Sequence, residues 1–268
     1  ASTRRPTFDI LGQVSGIAVG SRRAGRPPEC WEHFDAVLAV TVPSYFDDYS
    51  SEMVHGMDVD GGNRERGRAE YLHLPVAEGK RDRTKLIQAL PLALVFILTQ
   101  IARGRRVLIH CNQGQDRSVG VATAAIALFC IWGSHDVIPR DWCKGEAVSW
   151  AGFEQFAGTA TRQTKNTNSN ERCDGQSTDE EDLVRARCAR LLFGPSGKSL
   201  FFAWIQHLRS DVITGTAPSP SLPSSPAWPD KAALRQALSV VTLFRGLANP
   251  SRFTLRKLSR FFTRRKSE

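Results

Sequence analysis

The sequence predicts an α/β fold: a central, mostly parallel sheet flanked by helices, with helical additions after residue 183. Three observations predict it. First, the runs Asp35–Val40, Tyr71–Leu74 and Val107–His110 are short and apolar, as strands buried on both faces should be. Second, Thr84–Ala102 repeats its apolar residues at helical spacing (Leu86, Leu90, Leu94, Ile97, Leu98, Ile101), and Val119–Cys130 is an Ala-rich apolar helix. Third, residues 107–110, 111–117 and 118–130 follow one another as strand, loop and helix. That order is the βα unit at whose strand end α/β folds place ligands.

The chain divides on composition. Residues 8 to 156 alternate strand-like and helical runs. Residues 157–182 are polar, nearly free of large apolar groups, and are expected to be a flexible insertion that cannot order itself. Residues 183–211 read as helical. Residues 214–230 (TGTAPSPSLPSSPAWPD) are rich in Pro and Ser, the composition of an extended linker. A last helical stretch covers 231–263.

Its 268 residues suffice for a real core, and a charge of +9 suggests a polyanionic partner such as nucleic acid. None of the six cysteines forms a C-x-x-C pair and the histidines show no ligand spacing, so no metal site is expected. The longest apolar stretch, Ala89–Ala102, contains Pro91 and Gln100 and is short for a bilayer span. With no secretory signal, the expected setting is a reducing, cytoplasmic compartment without membrane attachment. Because the chain starts at Ala1 and not at Met, it is expected to be part of a longer protein.

The segment RRVLIHCNQGQDRSVGVATAA carries the chemistry. A loop that leaves a strand and enters a helix aims successive N–H groups inward, a nest for an anion. Residues Asn112, Gln113, Gly114 and Gln115 form it, Gly114 letting the backbone curl close to the ligand. The helix start adds partial positive charge. Arg117 offers a planar fork to two phosphate oxygens. Cys111 lies where N–H groups favour its thiolate, a nucleophile that the Ser118 hydroxyl could stabilise as it leaves. His110 could orient the loop. The arrangement resembles that of the protein-tyrosine and dual-specificity phosphatases, a resemblance that implies a cysteine-phosphatase-like sheet.

Such phosphatases use a general acid from the loop after the upstream strand. Here that loop is LPVAEGKRDRT, which offers Glu78 and Asp82. Lys80, Arg81, Arg83 and Lys85 crowd Glu78, and neighbouring positive charge lowers a carboxylate's pKa, making it a poor acid at neutral pH. Asp116 lies within the loop itself. By resemblance to the myotubularin-type lipid phosphatases it could serve as the acid, or it could be a structural carboxylate. Both readings stay open from sequence.

Three motifs narrow the resemblance: CNQGQDRSVGVA at 111–122, LPVAEGKRDRTKLIQALP at 74–91 and ANPSRFTLRKLSRFF at 248–262. Together they resemble the C-terminal dual-specificity-phosphatase-like domain of the initiator tRNA 2′-O-ribosylphosphate transferases, over about Gly12 to Phe262. The resemblance implies one phosphatase-like domain over 8–262, completed by the 231–263 helices. It implies a parent enzyme that transfers a 5-phosphoribosyl group from phosphoribosyl pyrophosphate to a 2′-hydroxyl of an adenosine in initiator tRNA. The transfer belongs to a larger N-terminal domain expected to be missing from this chain. Phosphoribosyl pyrophosphate would be the donor substrate, and no covalently bound cofactor is expected. The family often lacks an Arg at the position of Arg117, so its presence here retains the phosphate grip. An active cysteine-dependent phosphatase, dual-specificity or myotubularin-like, is the alternative.

The last helix combines Arg252, Arg256, Lys257 and Arg260 with an apolar side of Phe253, Leu255, Leu258, Phe261 and Phe262. Such a helix is either a solvated surface, a membrane-surface helix or an RNA contact. The family resemblance favours RNA, with Lys80 as a further phosphate contact. GPSGKS at 194–199 fails as a nucleotide loop because Leu192 stands where its first Gly would be, and a turn between helices explains it.

Overall fold

The computed structural model describes residues 8–12, 14–42, 54–57, 69–77, 84–132, 136–144, 147–162, 177–193, 196–214, 228–245 and 250–263. Among these, six strands form one sheet: β1 (Phe8–Ile10), β2 (Ile17–Ser21), β3 (Ala36–Val40), β4 (Val54–Met57), β5 (Ala69–Leu74) and β6 (Val107–Cys111). Their order is β1-β2-β6-β3-β5-β4. The inner four run parallel, and β1 and β4 close the two edges antiparallel. The expected parallel-rich α/β architecture is therefore present. The strands at 36–40, 69–74 and 107–111 coincide with the apolar runs.

β6 sits between β2 and β3, pairing Val19 with Ile109 on one side and Leu38 with Ile109 on the other. All five of its residues are buried. Alternation along the strand sends Val107 and Ile109 to the main core and Leu108 to a smaller cluster with Ala24, Cys30 and Phe34. Helix α1 (Glu29–His33) covers that smaller face. The other face carries α2 (Lys85–Ala102) and α3 (Arg117–Phe129).

Helix α3 is buried at every position. Its small residues allow this, because a helix apolar all round must be approached from all sides. At Gly120 the approach is closest: a Cβ there would collide with the Thr254 methyl of the last helix. α2 has 18 residues and is long and apolar enough to cross a membrane, yet 78% of that window is buried in the protein. A core helix of this length passes the same length and composition test.

A short hairpin, β7 (Cys130–Trp132) with β8 (Val137–Pro139), follows α3. Then come α4 (Trp150–Arg162), α5 (Ser177–Phe193), α6 (Gly197–Thr214), α7 (Lys231–Arg245) and α8 (Arg252–Phe262). The two helical stretches expected after 183 are thus two helices each. The polar insertion is also shorter than its composition suggests. α4 continues to Arg162 because Phe153 and Ala157 bury one face, and α5 starts at Ser177, with Glu181 and Asp182 bonded to Arg185. At the end of the Pro/Ser-rich stretch, Trp228 packs edge-on against Phe202, with ring centroids 4.5 Å apart.

Glu70 ties three of these layers together. Its buried carboxylate accepts from Gln100 at 2.7 Å, Arg103 at 2.9 Å and Arg105 at 2.6 Å, and pairs with Arg185 of α5 at 3.0 Å. Removing one member of a buried, hydrogen-bonded charge cluster leaves the others unanswered, which costs about 3–5 kcal/mol. Glu70→Ala is therefore expected to lower the unfolding free energy by about that amount, read from the urea midpoint at unchanged slope.

Candidate phosphate-binding loop

The loop leaves the end of β6 at Cys111 and enters α3 at Arg117. Neighbouring strands hold it by backbone and side-chain bonds. The Arg22 N–H donates to the Asn112 carbonyl at 3.1 Å, and the Thr41 hydroxyl donates to Asn112 Oδ1 at 2.6 Å. Gly114 has φ of +70°, and a Cβ there would stand 2.6 Å from the Gly20 carbonyl and 2.8 Å from the Ser21 nitrogen. Only glycine meets both demands. Gln113 and Gln115 are exposed on the loop's outer side, while Gly114, Arg117 and Ser118 are buried.

Cys111 and Ser118 meet with Sγ and Oγ 3.2 Å apart. Burial alone would raise the Cys111 pKa. The Ser118 hydroxyl and N–H, the Arg117 charge and the Asp116 N–H outweigh burial and hold the thiol below its ordinary value. Cys30, Cys130 and Cys188 lack that compensation, and burial pushes each up to about 12. Cys143 is raised by burial as well. Of the five thiols described, Cys111 is the one held low.

His110 is completely buried, its ring against Gly25. Burial and then the charge of Arg22 push its pKa down to about 3, so it stays neutral at ordinary pH. Arg117 sends its guanidinium to the Val76 carbonyl, immediately before the stretch that carries Glu78 and Lys80. Those two residues lie outside the described ones.

Asp116 occupies the cap position of α3 but makes no side-chain cap there. Its Oδ1 accepts from the Ser251 N–H at 2.7 Å, and its carbonyl accepts from Gly120 at 2.8 Å. Ser251 in turn caps α8, its Oγ accepting from the Thr254 N–H at 3.3 Å. The structure thus brings Cys111, Arg117, Ser118 and Asp116 into one loop and adds the start of α8 beside it.

On α8, Arg252, Arg256 and Arg260 are exposed in a stripe of four-residue spacing. Lys257 is not part of that stripe: it is buried next to Leu258 and Phe261. Sequence grouped it with the exposed bases because a run of charge does not reveal which member turns inward. Four contributors to the site went unread. Arg22, Thr41, Gly20 and Val76 are joined to the loop only through pairing across the sheet, which no local pattern announces.

These features define a class: an α/β domain whose central strand ends in a loop that carries Cys111 and Arg117 into a buried helix. Residues 70–146, which include the whole loop, match the family model described as the Rit1 DUSP-like domain, of the initiator tRNA phosphoribosyl transferase family. The resemblance read from the motifs is borne out over that stretch, and the N-P-S-R motif lies beyond it. No curated protein matches the chain.

The perturbed thiol gives a direct measurement. Iodoacetamide labelling followed peptide by peptide should modify Cys111 with a midpoint below that of an ordinary thiol, and Ser118→Ala should move the midpoint upward. Cys30, Cys130, Cys143 and Cys188 should label only on unfolding. Gly114→Ala should cost roughly 1–3 kcal/mol from backbone strain alone and remove stabilisation of the protein by inorganic phosphate in thermal melts.

Proposed function

We propose that this chain is the phosphatase-like domain of a tRNA-modifying enzyme whose parent transfers a 5-phosphoribosyl group from phosphoribosyl pyrophosphate to a 2′-hydroxyl of an adenosine in initiator tRNA. The loop at Cys111–Ser118 grips a phosphate, of the donor or of the tRNA backbone. The observation that carries the reading is a coincidence: the stretch matching the Rit1 DUSP-like domain contains the strand-to-helix loop in which Cys111 meets Ser118 and Gly114 has a positive φ, a geometry that suits an anion. The exposed stripe Arg252, Arg256 and Arg260, starting beside that loop, supplies further contacts to RNA phosphates.

The loop can bind in the following way. Backbone N–H groups of residues 112–117 and the start of α3 supply fixed positive potential. Arg117 adds charge, and neutral His110 supports the loop from beneath without competing for the anion. Asp116 is committed through Oδ1 to the Ser251 N–H, which favours a structural role over a proton donor.

Hydrolysis is the second reading, and the lowered thiol of Cys111 favours it. In it Cys111 Sγ attacks phosphorus, the alcohol leaves with a proton from Glu78 or Asp116, and water releases phosphate from the thiophosphate ester.

One set of measurements separates the two. Binding to initiator tRNA should fall steeply with salt and weaken several-fold in Arg117→Ala and in the triple Arg252, Arg256 and Arg260 to Ala variant. Equal affinity of the wild-type chain for arbitrary duplex RNA would sink the tRNA reading. Turnover of a small aryl phosphate that Cys111→Ser abolishes would establish hydrolysis instead.

A further inference from the structure

Arg103, Arg105 and Arg185, packed around Glu70, are answered by acids. Arg140 and Arg209, both half-buried, are not. Arg140 follows β8, and its N–H donates to the Phe129 carbonyl at 2.7 Å, which places it at the C-terminal end of α3. Arg209, on α6, lies between two indoles, 5.4 Å from the Trp142 ring and 5.3 Å from the Trp228 ring. Both arginines are half-buried, and the Nε of each is fully buried without a hydrogen-bond partner. Among the described residues neither has a carboxylate within ion-pair distance. The groups facing Arg209 are Arg140 and the Cys143 thiol; burial first, and then the Arg140 charge, lower its pKa.

A structural role accounts for one of them. Arg209 pins Trp228, and with it the chain entering α7, by cation–π contact. The dipole of α3 favours one cation near its C-terminus. Neither effect explains two like charges in one half-buried spot with both Nε–H groups unanswered, which is costly unless an anion joins them. A planar guanidinium fork suits the oxygens of a phosphate, and two neighbouring ones suit it better.

We propose that Arg140 and Arg209 together bind a phosphate group of RNA, at the opposite end of α3 from the Cys111 loop. That the phosphate comes from RNA rests on the functional reading above; the anion grip itself does not. α3 has 13 residues, so at about 1.5 Å each the two grips stand about 20 Å apart. One polyanion could engage both, the loop at one end of the helix and the arginine pair at the other.

The test uses the whole chain with Arg140→Gln, Arg209→Gln and the double variant. In the first arm, affinity for tRNA is followed against salt concentration. The double variant should bind several-fold more weakly, with the log–log slope reduced by about one phosphate's worth (~0.9), for initiator and unrelated tRNA alike. In the second arm, inorganic pyrophosphate is titrated while tryptophan emission is read. Wild type and Arg117→Ala should show a saturable change that Arg140→Gln loses, since Arg140→Gln leaves the Arg209 stack on Trp142 and Trp228 in place as the reporter. Without ligand, Arg140→Gln should melt no lower than wild type, because a repulsion is relieved. An unchanged salt slope in the double variant, with the wild type binding tRNA, overturns the proposal. So does a lowered melting temperature with unchanged RNA affinity, the signature of a merely structural pair. If the wild-type chain binds no RNA at all, the functional reading fails and takes the RNA source with it, and the second arm then decides whether the anion grip remains.

Discussion

One carboxylate joins the central loop of this domain to its last helix. Asp116 stands where a helix cap would ordinarily bond its own helix, and its Oδ1 instead reaches 135 residues along the chain to the Ser251 N–H. The last helix is thereby anchored to the loop that it flanks. Its other contacts depend on that anchor: Thr254 meets α3 at Gly120, where no side chain intervenes, and Ser251 is oriented to cap α8. Lys198 holds the far end, its ammonium donating to the carbonyls of Arg260 and Thr263 at 3.2 and 3.4 Å. With both ends secured and Leu258, Phe261 and Phe262 buried, the exposed arginines of α8 present a defined row. Positive charge arranged this way can act on a ligand as a pattern.

Much of this was legible in the sequence, for physical reasons. Val107–Cys111 and Ala36–Val40 are buried on both faces, so their apolar runs are continuous, and α2 repeats its leucines at helical spacing. The loop was legible because its chemistry is local: Cys111, Gly114, Arg117 and Ser118 lie within eight residues. What was not legible depends on distant partners. β1 has three residues and no pattern of its own, and it exists because β2 offers it an edge. The polar start of α5 is helical because Glu181 and Asp182 find Arg185 and Arg103. Lys257 turns inward although Arg256 and Arg260 face water.

The arginines sort by what answers them, which is more informative than the overall charge of +9. Arg103, Arg105 and Arg185 are spent on Glu70 and serve the fold. Arg117 lies in the loop with its guanidinium directed at the Val76 carbonyl. Arg252, Arg256 and Arg260 face solvent, and Arg140 and Arg209 face each other near two indoles. A basic isoelectric point says only that a polyanion would be attracted. The distribution distinguishes charge that has been neutralised inside the fold from charge still available to a partner.

The place of β6 in the sheet has a kinetic meaning. β2 and β3 are close in sequence yet never touch in the sheet, because the strand between them is Val107–Cys111. Until that strand arrives the first forty residues have no complete partner, and some seventy residues of chain must be gathered before they do. Closing so long a loop before its contacts form is slow compared with local helix formation. The strand that completes the sheet is also the one that ends in Cys111. The Cys111 loop and the sheet therefore come into being in the same event, and a half-folded chain with a formed loop should not accumulate.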